Sequence, residues 1–275
     1  MSGKYLIAVD SGHGLETAGK RTPPLPQDLI IDGKTVRKKG EVIREKEFNR
    51  AVADALIVVL TRCGIRTVDV SPGTKDVPLA DRCKAANNAK ADLFISKHYN
   101  AKSGNAWWMG GYIVGFVASI AGANTRAYAK CVMDELAKIV PWTTHGVQND
   151  TDFVSSLAVL RSTAMPALLT ETGFMDVWDQ ARRMLDPDFI RQDAEATCRG
   201  ICKHLGVKYV AASATVPTPP TPPRVPEPAP DPNKPSDWAA ASWYWATREG
   251  ITDGTNPRGN ATREQVATML YRLRQ

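Results

Sequence analysis

Two histidines in this sequence each close an apolar run. "YLIAVDSGHG" carries His13 between Gly12 and Gly14, and "LFISKHYN" carries His98. An imidazole at a strand end is either a hydrogen-bonded turn residue or a metal ligand. The flanking glycines permit a sharp turn and a close approach. Two strand-end histidines of a parallel sheet share one edge, the edge where sites form. A third donor is available from "REKEFN", residues 44–49, at the start of a long helical pattern, and "PALLTETGF" ends a further apolar run at Glu171. Two histidines and a glutamate with an open position make a catalytic zinc set. A second carboxylate beside them is what amide hydrolysis needs, to take a proton from water and return it to the leaving nitrogen.

The elements that must position these residues alternate in type. Strand-like runs cover 4–10, 66–70, 92–97, 111–117 and 166–171, and helical periodicity covers 47–63, 123–139 and 188–205. In the first helix Phe48, Val52, Ala55, Leu56 and Val59 share a face, and Gly64 is its stop. His145, in "TTHGVQ", falls in a segment with loop character, and His204 in the last turn of the last helix. Alternation of this kind predicts an α/β fold, a twisted, mostly parallel sheet flanked by helices.

Composition bounds the remainder. The 275 residues are 43% hydrophobic and 23% charged, with a formal net charge of +6, nearly all of it on the first 210 residues. That excess by itself suits an anionic partner such as a cell-wall polymer or nucleic acid, or simply solubility; the partner expected overall is not nucleic acid. No apolar run approaches the ~20 residues of a membrane span. Met1-Ser2-Gly3-Lys4 leads straight into a strand, so the expectation is synthesis in the cytoplasm without a signal peptide. The five cysteines, 63, 83, 131, 198 and 202, show no CxxC spacing and suggest small apolar filler in a reduced compartment. Cys198 and Cys202, four apart on one helix, have poor geometry for a bridge.

One boundary is plain. Residues 217–235 hold ten of the nineteen prolines, a semi-rigid extended spacer. The division expected is a catalytic domain over 1–210, a linker over 211–236 and a small two-helix module over 237–275. In that module Thr262 and Gln265 form a capping box, and Trp238, Ala241 and Trp245 line a stripe.

Four motifs in order, "VDSGHG", "EKEFNRAVADAL", "ADLFISKHYNA" and "VLRSTAMPALLTETGFMD", resemble the zinc-dependent N-acetylmuramoyl-L-alanine amidases of the amidase-3 type, particularly those used as phage endolysins. The likeness spans about residues 4–205, and "TAGKRTP" is similar to endolysin-type members. It implies one Zn2+ per chain held by His13, Glu45 and His98, with Glu171 as the catalytic carboxylate. Glu41 and Glu47 lie close to Glu45, which the family register favours. Many members have Pro where Ser11 stands. The implied reaction cleaves the amide between the lactyl group of N-acetylmuramic acid and L-alanine in peptidoglycan, as in lysis of a host cell. Asn100 is a candidate substrate contact; Arg161 reads as structural, and Trp107 and Trp108 as loop packing or sugar stacking. A zinc peptidase or deacetylase of the wall, and a non-catalytic wall-binding protein, are the competing readings.

The tail, with "GITDG" and "TREQ", resembles a single S-layer-homology repeat. That implies binding of secondary cell-wall polysaccharide through Arg263; because two helices this short bury little, the module is also expected to form a homodimer or to dock on the larger domain.

Overall fold

A computed structural model describes residues 3–103, 105–152 and 157–212, together with 246–247, 249 and 251–252. The chain divides into two compact units, Met1–Ala211 and Ala212–Gln275. Arg263, the capping box and the tryptophan stripe expected of the C-terminal module lie outside the described residues, as does nearly all of the proline-rich linker.

The first unit is built on a six-stranded sheet. Its strands are β1 (Leu6–Ser11), β4 (Arg66–Asp69), β5 (Leu93–Asn100), β6 (Tyr112–Val117), β7 (Thr143–Asn149) and β8 (Ala167–Phe174), in the spatial order β4-β1-β5-β8-β6-β7. β4, β1, β5 and β8 run parallel; β6 is antiparallel to β8, and β7 is parallel to β6. The mostly parallel sheet expected from the alternation is present. β1, β5 and β8 are almost wholly buried, as strands covered on both faces must be.

Alternation along the strands assigns the two faces. Ile7, Val9, Leu93, Ile95, Tyr99 and Leu168 join the core beneath α1 (Glu45–Arg62), α3 (Ala123–Leu136) and α6 (Pro187–Leu205). Ala8, Phe94, Ala167 and Leu169 join the smaller core beneath α2 (Leu79–Asn88) and the short α4 (Ala158–Arg161). His98 and Glu171 stand on this second face. α6 shows why its ends fall where they do. Asp186 accepts the backbone N–H of Asp188 at 2.9 Å, Pro187 opens the first turn, and Gly206 closes the helix in a left-handed conformation, φ 65°.

Several elements differ from expectation. α1 begins at Glu45 rather than at 47, which puts that carboxylate in the first turn. The segment around His145 is strand β7, not loop: it is an edge strand, exposed over Thr143–His145 and half-buried beyond, with no apolar alternation. The long stretch before α1 contains a hairpin, β2 (Leu29–Ile31) and β3 (Lys34–Arg37), turned by Asp32 and Gly33 at φ 51° and 73°, the pair of left-handed residues a tight hairpin requires. α2 has only Arg82, Cys83 and Ala86 buried, so its periodicity is thin. α5 (Trp178–Ala181) is a single turn.

Buried ion pairs hold the strand ends. Arg82 reaches Asp10 at 3.0 Å, and Asp10 also accepts the Ser96 hydroxyl at 2.6 Å. On the other face Lys97 meets Asp193 at 2.8 Å, both with fully buried side chains, and the Thr172 hydroxyl donates to the same carboxylate at 2.8 Å. Removing one partner of such a pair strands a charge in the interior. Lys97→Met should therefore lower stability by about 3–5 kcal/mol, read as a fall in the urea midpoint. An unchanged midpoint would show that the pair does not fasten β5 to α6.

Candidate metal centre

Three side chains converge where β1, β5 and α1 meet. His13 follows the end of β1, with its Nε2 3.4 Å from Glu45 Oε2. His98, in β5, presents Nδ1 2.9 Å from Glu45 Oε1. The two imidazoles stand edge to face, centroids 4.8 Å apart. Glu45 is 1% exposed. Its Oε1 also accepts the backbone N–H of Tyr99 at 3.1 Å and the Asn49 amide at 3.1 Å. The fourth predicted residue, Glu171, lies directly opposite His98 in the β5–β8 register. Its Oε2 is buried with no hydrogen-bond partner.

The glycines beside His13 serve close approach. His13 itself takes the left-handed bend, φ 60°, which neither Gly12 nor Gly14 does. A Cβ on Gly12 would sit 2.0 Å from the His98 ring, and one on Gly14 would sit 2.3 Å from the backbone nitrogen of Asp76. The loop is tied down by the N–H of Gly14 donating to Thr17 at 2.8 Å. Ser11 is the hub of a buried network. Its N–H donates to the Ser71 hydroxyl at 2.6 Å, and Lys46 donates to its carbonyl and its hydroxyl, each at 2.8 Å. Proline has no N–H for the first of these bonds.

The neighbouring glutamates point elsewhere. Glu47 accepts the N–H of Arg44 at 2.8 Å and pairs with Arg37. Glu41 accepts the N–H of Lys38 at 2.5 Å. Lys20, which the residue-type argument had not singled out, stands 4.0 Å from Glu45 Oε2, and its carbonyl accepts the Glu45 N–H at 3.0 Å. The signal for it was the "TAGKRTP" motif.

The electrostatics follow from burial. Desolvation lowers the His13 imidazole to about 4, against the pull of Glu45. Burial alone would raise the Glu45 carboxyl, but the His98 hydrogen bond and the charges around it hold it at about 2. Burial opposes charge on His98 too, yet the hydrogen bond and charge of Glu45 raise it. Glu171 is pushed up to about 8 by burial, aided by the negative charge of Glu45 and opposed by His98.

This donor set fits a divalent cation. Ligand atoms of His13, Glu45 and His98 all lie within 4.8 Å of one another. Donors about 2.1 Å from a tetrahedral zinc are roughly 3.4 Å apart, which matches the His13–Glu45 spacing. The unpartnered oxygen of Glu171 belongs to a carboxyl group, a type suited to acid–base work at such a centre.

The family model for N-acetylmuramoyl-L-alanine amidase matches residues 7–203. The chain belongs to this family. It is 30% identical over 206 residues to the endolysin of Bacillus phage SPP1, spanning 74% of this chain and 67% of that protein. It is 30% identical over 176 residues to the sporulation-specific N-acetylmuramoyl-L-alanine amidase of Bacillus subtilis (strain 168), spanning 63% of this chain and 65% of that one. The chain thus matches about two thirds of the length of these relatives. The fold is that of the catalytic domain of the amidase CwlV from Bacillus (Paenibacillus) polymyxa var. colistinus, with TM-score 0.58 and 24% identity over 74% of this chain and 99% of that one. It is likewise that of an amidase from Clostridium difficile 630, with TM-score 0.59 and 23% identity over 74% and 98%.

The other expected residues of this amidase are placed as follows. Asn100 ends β5, and its side-chain oxygen accepts the N–H of Ala101 at 2.8 Å. Arg161 forms a two-point ion pair with the buried Asp150, at 2.7 and 2.8 Å, a structural role. Trp107 donates to the Pro24 carbonyl at 2.9 Å and packs on Trp178; Trp108 donates to Asp176 at 3.0 Å. His145 stacks on Tyr112 with centroids 3.8 Å apart, and His204 packs on Tyr128.

The Gly12 contact yields a direct test. Gly12→Ala drives a methyl into the His98 ring, so divalent-metal affinity should fall by at least ~10-fold, the scale on which displaced supporting groups act. Chelator competition measures it, with circular dichroism confirming the fold. Wild-type affinity in this variant would mean that His98 is not held against Gly12.

Proposed function

We propose that this chain is a zinc-dependent N-acetylmuramoyl-L-alanine amidase of endolysin type, cleaving the bond between the lactyl group of N-acetylmuramic acid and L-alanine in peptidoglycan. The observation that carries the reading is the His13–Glu45–His98 cluster with the unpartnered Glu171 oxygen beside it, in a member of this family. His13, Glu45 and His98 would hold the ion, which supplies Lewis-acid polarisation of the scissile carbonyl and of the attacking water.

The remaining steps belong to the chain itself. Glu171 Oε2 takes the proton from the attacking water and delivers it to the departing L-alanine nitrogen. A carboxyl poised by burial near neutral pH can do both. Glu45 orients His98 through Oε1 and keeps its own negative charge. Lys20 adds positive charge beside Glu45. Asn100, at the same strand end as His98, is the proposed substrate contact. The endolysin relative supports the wall-lytic role. For the tail, over 237–275, the sequence motif supports attachment to secondary cell-wall polysaccharide through Arg263, with self-association as a second role. Attachment would keep the enzyme near an insoluble substrate.

Glu171→Gln should retain the metal content of the wild-type chain and lose about 10²–10⁴-fold in the rate of turbidity loss on purified walls. Mass spectrometry of a wild-type digest should show intact stem peptides with a free L-alanine terminus. Full activity in the variant, or cleavage at another bond, would remove the assignment.

Proton uptake and release give a second test. His13 and Glu45 are already deprotonated at neutral pH, with values of about 4 and about 2. His98, raised above 6.5, holds a proton that a metal must displace. Zinc affinity should therefore fall as pH drops through the range where His98 and Glu171 take up protons. Calorimetry in buffers of different ionisation enthalpy should report net proton release on binding at pH 6.5, from His98 and from Glu171 as the ion draws its carboxyl down. A pH-independent affinity would contradict the ligand set.

A further inference from the structure

Away from this centre, three thiols meet. Cys63 follows the last turn of α1, and Cys198 and Cys202 stand on successive turns of α6. The sulfur of Cys198 is 3.7 Å from that of Cys63 and 3.8 Å from that of Cys202, and all three sulfurs lie within 4.8 Å of one another. All three residues are buried. The backbone N–H of Val210 donates to the Cys63 sulfur at 3.3 Å, and the Val210 carbonyl lies 3.8 Å from that sulfur. Arg62 Nε donates to the same carbonyl at 2.8 Å, which brings a guanidinium to the edge of the cluster.

Buried cysteine is ordinarily a small hydrophobe, and Cys83 fits that description, packed among apolar residues of the smaller core. Filler does not require three sulfurs from two helices to face one point. Four ligands about 2.3 Å from a tetrahedral zinc are about 3.8 Å apart, the edge length seen on both sides of Cys198. The cluster sits in the main apolar core, with a polar edge where the Val210 backbone and the Arg62 side chain meet Cys63.

We propose that Cys63, Cys198 and Cys202 form a second, structural metal site for a thiophilic divalent cation, zinc in the cell, with the Val210 carbonyl placed to complete the coordination. On binding, three S–H protons leave to water and three sulfur–metal bonds form; no redox step is involved. Arg62, which also pairs with Glu195 at 2.6 Å, lies at the edge of the site. The ion would fasten the end of α1 to α6 and to the 207–210 segment, as structural zinc fastens small folds.

The test uses the full chain carrying His13→Ala and His98→Ala, which removes the first centre, kept reduced and titrated with Cd2+. One equivalent should bind with a sulfur-to-cadmium charge-transfer band in the ultraviolet and a rise in thermal midpoint. Adding Cys198→Ser should abolish both signals, and adding Cys131→Ser should leave both. If the serine variant does not fold, the chain with all its cysteines still decides: absence of the sulfur band on Cd2+ addition overturns the site. Persistence of the band in a folded Cys198→Ser chain overturns it equally.

Discussion

A buried carboxylate facing two imidazoles is the constraint around which the first unit is organised. Glu45 is almost wholly excluded from solvent, yet it is held ionised. A charge so placed must be met by hydrogen bonds, by shared protons or by a cation. The backbone N–H of Tyr99, the Asn49 amide and His98 meet part of the demand. His13, already neutral, offers a lone pair rather than a charge. A divalent ion between the three residues, as proposed, would satisfy what remains, and the same ion would draw down the raised carboxyl of Glu171 across the β5–β8 pairing.

The surrounding fold can be understood as support for that arrangement. α1 must start at Glu45 for the carboxylate to reach over the sheet end, and the Lys20 carbonyl accepts its first N–H. β1 and β5 must be parallel neighbours for His13 and His98 to share an edge. The ends of these strands are fixed by buried polar bonds on both faces: Arg82 with Asp10 below one, Lys97 with Asp193 above the other, and Lys46 on Ser11 between. Such pairs give little net stability over an apolar core but penalise misplacement heavily. That suits a site where a shift of an ångström moves a ligand out of reach.

Much of this was legible in the sequence, for identifiable reasons. Strands buried on both faces are uninterrupted apolar runs, so β1, β5 and β8 announced themselves, and with them the strand-end positions of His13, His98 and Glu171. The ligand glutamate was narrower going. Spacing left Glu41, Glu45 and Glu47 open, and only a family register favoured Glu45; what separates them is where the hairpin residue Arg37 and the backbone N–H groups of Lys38 and Arg44 sit. Strand β7 was illegible because "TTHGVQN" is polar and has no apolar alternation. The direct opposition of His98 and Glu171 depends on which strands are neighbours, a fact that no local pattern encodes. The cysteine cluster failed to appear for the same reason, since Cys63 is far in sequence from the other two. Lys20 lies in "TAGKRTP", a stretch that carries the likeness to endolysin-type members and says nothing by itself of a charge beside Glu45.

The most direct measurement of the central claim is anomalous scattering at the zinc absorption edge from crystals of the full chain grown with Zn2+. The account predicts a single strong peak within bonding distance of His13, Glu45 and His98, with Glu171 facing it; any peak at the three cysteines is a separate matter. Crystals that hold these two imidazoles and the carboxylate in direct contact with one another in the presence of the metal, with no anomalous density between them, would contradict it.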